Sequence, residues 1–281
     1  MWQVAGTSRP QRLDIAPYRY CHFWDNGRGC RYCNIGSLIR KAKQSGVEVR
    51  LNPQDIYETV REALKQPGRY VNILFSGGSI PGPRRSFDGE VRVYIEAIQA
   101  VGANFSTRRF PSQLMASAFN EQQLARIYEE TGVENYTADI EVFDERKFHW
   151  LCPGKAETVG YREWRRRLIA AVDIIGRGHV STSVVSGVNL AAPYGCASED
   201  EALAETLAGA EDLADHGVAT ASTIWYPCEG SYLEKQKTPS LEFHVRLSKG
   251  LADIARRHAL YNHLDNYRRC GNHAPTDLLR A

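Results

Sequence analysis

Three cysteines, Cys21, Cys30 and Cys33, fall within thirteen residues, the last two spaced as CxxC with Tyr32 just before the third. A loop that gathers three thiols makes its chain a candidate for metal or redox chemistry before anything else is read. Three thiolates from one loop hold three irons of a 4Fe–4S cube, and the fourth iron stays open to an exogenous ligand. A zinc ion normally takes four protein ligands, often as two CxxC or CxxC-plus-His pairs. His22 and the distant Cys152, Cys196, Cys228 and Cys270 offer a fourth ligand, but none forms a second pair. A thioredoxin-like CxxC leaves Cys21 without a role. Seven cysteines in 281 residues, an odd count with no secretion signal ahead of it, argue against a disulfide framework. The spacing favours the cluster, with zinc and plain structural thiols as the alternatives.

What surrounds the loop reads as one α/β unit. The net charge is +2, so no global field points to nucleic acid or an anionic membrane. No apolar stretch approaches the roughly 20 residues of a membrane span. Unpaired cysteines suit a reducing cytoplasm, which is the expected location. Residues 1–15 read as a polar leader, and Asp14–Tyr20 as a first strand that delivers Cys21 to its C-terminal end. Further strands are expected at Tyr70–Phe75, Gln113–Ser117, Tyr136–Val142, His179–Gly187 and Ala219–Trp225.

Helices fill the intervals. A short one follows Asn34, and Asn52-Pro53 reads as an N-cap with proline at the first helical position. Others run from about Gly89 to Ala100, after the cap Asn120, and over Tyr161–Ile175, Glu199–His216 and Ser240–His258. Phe148–Lys155 reads as a compact loop ending in a turn, with Cys152 packed and Lys155 a surface lysine or, as the alternative, one that reaches an anionic substrate. Six strands alternating with helices argue a parallel sheet, either an open partial barrel or a doubly wound sheet. Both architectures place ligands at the strand C-termini. The cysteines, Gly77-Gly78, Glu141, Val185–Gly187 and Trp225 all fall at such ends. A carboxylate such as Glu141 suits ribose hydroxyls there, or is a plain solvent-facing charge. No phosphate loop or base-stacking patch is evident.

The cysteine loop, ending in an aromatic and a cysteine, resembles that of the radical S-adenosylmethionine (SAM) superfamily, although eight residues separate Cys21 from Cys30 where the family commonly has three. The chain looks most like the compact biotin-synthase and hydrogenase-maturation branch. The resemblance implies one domain over 1–281, a partial (β/α)6 TIM-type barrel with a core at about 14–260 and a tail at 261–281. It implies a 4Fe–4S cluster on Cys21, Cys30 and Cys33, and SAM cleaved to methionine and a 5′-deoxyadenosyl radical that takes hydrogen from a small-molecule substrate. Flavodoxin or ferredoxin is the implied electron donor. Carried onto this sequence, the SAM contacts are Tyr32 beside adenine, then Gly77, Gly78 and Ser79, where serine stands in place of the family's acidic residue. Glu141 is expected at the ribose and Arg165 at the carboxylate, with Arg166 or Arg167 if the register differs. Val185 and Gly187 resemble the stretch that flanks adenine in the family, or belong to an ordinary buried strand, and Trp225, read from its aromatic-proline setting alone, lines the pocket or is core. Rival readings are a non-catalytic iron–sulfur or zinc protein and a methyltransferase.

Overall fold

β-branched runs and amphipathic segments alternate along the chain, and in the computed structural model they build a seven-stranded sheet whose order follows the sequence. The structure describes residues 4–9, 12–44, 46, 48–83, 87–107 and 109–260. The expected tail at 261–281 with Cys270 lies outside them. The strands are β1 (Ala5–Arg9), β2 (Arg12–Ile15), β3 (Asn72–Ser76), β4 (Ser112–Met115), β5 (Asn135–Thr137), β6 (Val180–Ser186) and β7 (Val218–Ile224). From β2 to β7 each strand is parallel to the one before it. A doubly wound sheet reverses its strand order midway, whereas every crossover here steps one place in the same direction. Strands β2 to β7 are therefore the six-strand parallel set of a partial barrel, with β1 added antiparallel at its edge.

Three expectations about the strands are corrected. The polar leader contains β1, which pairs antiparallel with β2. An edge strand needs backbone pairing on one side only, so its polar composition concealed it. The first parallel strand ends at Ile15 because Pro17 has no amide to give a ladder. Tyr18 survives only as an isolated bridge to Arg50. β5 likewise stops at Thr137, and the chain leaves the ladder before Glu141 touches Val184 through a single bridge.

The helices are α1 (Ile35–Gln44), α2 (Pro53–Ala63), α3 (Asp88–Gly102), α4 (Glu121–Thr131), α5 (Glu145–Leu151), α6 (Pro153–Thr158), α7 (Tyr161–Ile175), α8 (Glu199–Asp215) and α9 (Leu241–Arg257). The cap chemistry is local. Asn52 Oδ1 accepts the Gln54 amide at 2.8 Å with Pro53 at the first position. Asn120 and Gln123 exchange side-chain and backbone bonds at 2.9 and 3.2 Å, a reciprocal capping box. α5 and α6 replace the loop expected at 148–155. Asp144 caps α5 by accepting the Lys147 amide at 2.7 Å, and Pro153 opens α6.

Between sheet and helices lies an apolar core. Ile73, Phe75, Leu114, Tyr136, Val180 and Val218 from the strands pack with Val60, Ile98, Ile127, Trp164 and Leu168 from the helices. Each such buried side chain contributes roughly 2 kcal/mol, which is what keeps the helices on the sheet. No helix among the described residues is long and apolar enough to cross a membrane. Asn120→Ala is expected to lower stability by about 1 kcal/mol through the lost cap of α4. Urea unfolding of the two proteins, with an unchanged slope, checks it.

Candidate active site

The cysteine loop begins where β2 has handed the chain past Pro17. Cys21 precedes a 3-10 turn, His22–Asn26, which closes at Gly27 in the left-handed region. The Cys33 amide donates to the Cys30 carbonyl at 3.0 Å, and α1 then starts with the Ile35 amide 3.4 Å from the Cys33 sulfur. The loop is pinned from outside by Arg31, whose amide donates to the Leu151 carbonyl and whose Nε donates to the Trp150 carbonyl at 2.7 Å. Cys21, Cys30 and Cys33 all line one cavity at the C-terminal ends of the strands, together with Gly77, Gly78 and Ser79 after β3.

The glycine pair has a steric cause. A Cβ on Gly78 would stand 2.1 Å from the Tyr20 carbonyl oxygen, so only glycine lets the exit of β3 pass beneath the cysteine loop. The Ser79 carbonyl accepts the His22 amide at 3.0 Å and ties the two segments together.

Each thiol has a distinct environment. Burial is the main reason that Cys21 is pushed up to about 11 and Cys33 to about 12. The amides of Phe23 and Ser79 donate to the Cys21 sulfur and partly offset this. Cys30 moves the other way, because the Cys152 thiol hydrogen-bonds its sulfur and outweighs burial, with the Tyr32 hydroxyl and Lys155 acting in the same sense. Metal loading must therefore expel protons from Cys21 and Cys33, which a thiophilic metal does. No group of three or more His, Cys, Asp or Glu side chains among the described residues is arranged to hold a single ion. The three sulfurs line one cavity, and three loop thiolates match a 4Fe–4S cube with one open corner, whereas a structural zinc takes four protein ligands. His22, one candidate fourth ligand, is engaged by the Tyr18 hydroxyl and by Asp25, both at 2.7 Å.

The far wall is ionic. Glu141 is 7% exposed and has a φ of 72°, a left-handed conformation that a non-glycine residue adopts only under constraint. Its amide donates to the Ser183 carbonyl at 3.0 Å and its carbonyl accepts the Val185 amide at 3.1 Å, which holds it there. Its carboxylate pairs with Lys155, whose Nζ also donates to the Asp139 carbonyl at 2.7 Å. Burial pulls the Lys155 ammonium down, but Glu141, Cys30, Cys152 and Asp139 outweigh it and leave the value raised. Asp139 is pushed up to about 7 by burial and by the Glu141 charge, and its buried Oδ1 has no hydrogen-bond partner. Both Asp139 and Lys155 line the cavity.

A second buried carboxylate lies behind Ser79. Glu90 accepts the amides of Ile80 at 2.9 Å and Ser117 at 3.0 Å, and the Ser117 hydroxyl at 3.0 Å. That hydroxyl also stands 3.0 Å from Ser79 Oγ. Burial raises Glu90 to about 7 against these donors.

Tyr32 and Glu141 also line the cavity, but four expected contacts do not. Arg165 pairs with Asp212 of α8 on the outside, at 2.6 Å. Arg166 pairs with Glu121 and Glu163, and Arg167 with Glu163 and the Ala118 carbonyl. The helix phase, with Trp164 and Leu168 inward, leaves Arg165 on the outer surface. Gly187, at φ +90°, meets Pro239, where a Cβ would be 2.2 Å from Cγ. Trp225 is buried in the apolar core. Val185 only flanks Glu141. Lys155, expected on the surface, is the cation that the cavity contains. Its signal was the Asp144–Lys147 cap and Pro153, which together turn a supposed loop into two helices.

No family model matches the chain. Among curated proteins it is similar to the bacteriochlorophyllide c C-7(1)-hydroxylase of Chlorobaculum limnaeum, 24% identical over 260 residues, which are 86% of this chain and 60% of that protein. The chain thus spans about three fifths of that relative's length. Among solved structures, methylornithine synthase superposes with a TM-score of 0.58 at 15% identity, over 94% of this chain and 71% of the other. A radical SAM methyltransferase from Sphaerobacter thermophilus gives 0.57 at 17% identity, over 88% and 63%. At such identities the likeness concerns the fold, the partial parallel barrel.

Glu90 also yields a pH prediction. Its folded value is raised, so the stability it contributes is present below its ordinary value and is lost as pH rises toward about 7. Relative to Glu90→Gln, the wild type is expected to lose melting temperature between about pH 5 and about pH 8, because only the wild type must ionise a buried acid. Melting curves of both proteins across that range check the sign.

Proposed function

We infer that this chain, a radical SAM superfamily protein by its fold and cysteine loop, reductively cleaves SAM and uses the resulting radical on a small molecule held in the barrel. The observation that carries the reading is the convergence of three loop thiols, the Gly77–Ser79 turn and a buried lysine–carboxylate set on one cavity. Cys21, Cys30 and Cys33 would hold a 4Fe–4S cluster. When bound, that cluster supplies an open iron and one electron to SAM, giving methionine and a 5′-deoxyadenosyl radical.

The chain's own residues have separable tasks. SAM presents a carboxylate, an ammonium and two ribose hydroxyls. The Lys155 ammonium is the cation for the carboxylate, the role that Arg165 is too remote to play. The ammonium falls to Ser79 and Ser117, behind which Glu90 is the carboxyl group that Ser79 does not carry. Glu141 accepts from the ribose, and the unpartnered Asp139 Oδ1 is a further acceptor on the same wall. Trp24, Met115 and Trp164 give the cavity apolar walls that keep water from a reactive radical.

The described chain acts as one radical SAM domain. A small electron carrier, flavodoxin or ferredoxin, is the expected reductant, and a reducing cytoplasm the expected location. The hydroxylase name of the curated relative and the methyltransferase name of a structural one belong to those proteins; for this chain the reading stops at hydrogen abstraction from a biosynthetic small molecule.

Anaerobic reconstitution with iron and sulfide, followed by SAM and dithionite, is expected to yield 5′-deoxyadenosine and methionine, and Cys30→Ala to yield neither. Cleavage unaffected by Cys30→Ala contradicts the reading. Lys155→Met is expected to weaken SAM binding by roughly 10- to 100-fold, the worth of one charged hydrogen bond. Arg165→Met should leave it unchanged, as equilibrium binding to the reconstituted proteins will show.

A further inference from the structure

Away from the cavity, Lys147 of α5 is only 7% exposed, a place where a lysine is rarely found. Its ammonium makes a salt bridge with Glu205 of α8. The same nitrogen stands 2.9 Å from Sγ of Cys196, in the loop after β6. Glu205 Oε2 is itself 3.8 Å from that sulfur, and Asn189 Nδ2 holds the other oxygen, Oε1, at 3.0 Å. A lysine–glutamate pair needs no thiol against its nitrogen. Cys196 is not an activated nucleophile either, because burial raises its pKa despite the lysine. What the cluster does provide is a sulfur and an amine already in contact, a carboxylate touching both, and 9% exposure at the cysteine through which a small oxidant can enter.

We propose that Lys147 and Cys196 are a modification site at which dioxygen forms a covalent nitrogen–oxygen–sulfur bridge. The ammonium first gives its extra proton to Glu205 and thence to solvent. The thiol, the amine and one dioxygen then become Cys–S–O–NH–Lys and one water. Sulfur and nitrogen each lose two electrons and dioxygen takes the four; the S–H bond, one N–H bond and the O–O bond break, while S–O and O–N bonds and the two O–H bonds of water form. A direct sulfur–nitrogen bond would require the two atoms to close by more than an ångström, whereas a bridging oxygen leaves them near their present separation. Reductant thiols reverse the link, as they do other low oxidation states of cysteine.

The bridge has a structural consequence. It ties α5 to the loop after β6, and α5 carries the Trp150 and Leu151 carbonyls that pin Arg31 between Cys30 and Tyr32. Oxidation at Lys147 and Cys196 therefore stiffens the wall of the cysteine loop without consuming its thiols.

The test needs neither cluster nor SAM, so it stands apart from the proposed activity. The full chain is purified anaerobically with dithiothreitol, then half is equilibrated with air and both halves are digested for mass spectrometry. The expected result is a linked pair of peptides containing Lys147 and Cys196, heavier than their sum by about 14 Da, one oxygen gained and two hydrogens lost. It should vanish on adding dithiothreitol and be absent in Cys196→Ser and Lys147→Arg, the second of which keeps the charge. The melting temperature should rise with the link and fall back on reduction. Air-exposed wild-type protein in which these peptides stay separate, with Cys196 unmodified or carrying only added oxygens, overturns the proposal.

Discussion

The rest of the molecule depends on burying a short, thiol-bearing loop against the C-terminal rim of a parallel sheet. A loop has few backbone partners of its own, so each turn of this one borrows from a neighbour. His22 borrows the Ser79 carbonyl after β3, and Arg31 the Leu151 and Trp150 carbonyls of α5. The 231–233 turn leans back on the loop through the Leu233 amide on the Arg31 carbonyl. The steric demand of the same arrangement explains the glycine at position 78. Loop and barrel rim are thus one construction, and a cavity lined by three sulfurs is its product.

Charge is arranged on the opposite wall with comparable economy. An isolated buried lysine would lose its proton, and an isolated buried carboxylate would hold one. Lys155 keeps its proton because Glu141 first, then the Cys30 and Cys152 sulfurs and Asp139, outweigh the cost of burial. Asp139, pushed up to about 7 by burial and by the same Glu141, keeps one oxygen that nothing satisfies. A wall that sets a lysine ammonium against two carboxyl groups, one with an oxygen to spare, suits a zwitterionic ligand better than a simple salt. The left-handed backbone at Glu141 is the strain through which this wall reaches the cavity.

Much of this was legible because it is local. The cysteine spacing, the caps at Asn52 and Asn120 and the strand-to-glycine turn after β3 are written within a few residues. What depended on tertiary placement was not. A helix pattern identifies α7 but not which of three consecutive arginines meets a ligand, and the burial of Trp164 and Leu168 turns Arg165 toward α8 instead. Pro153-Gly154 reads as a turn until Asp144 is seen to cap a helix ahead of it, so Lys155 looked exposed. Glu90 resembles any solvated helix acid, and only the approach of Ser117 and Ile80 reveals it as an acceptor. β1 escaped because an edge strand leaves no periodic trace in polar residues.

The central claim is that three thiols hold a cube whose fourth corner is left for SAM. Mössbauer spectra of protein reconstituted with isotopically enriched iron, recorded with and without SAM, test it most directly. The account predicts four irons per chain, with one of them, and only one, changing its isomer shift when SAM is added. Four irons that all ignore SAM, or a protein that retains zinc and no cluster, would contradict it.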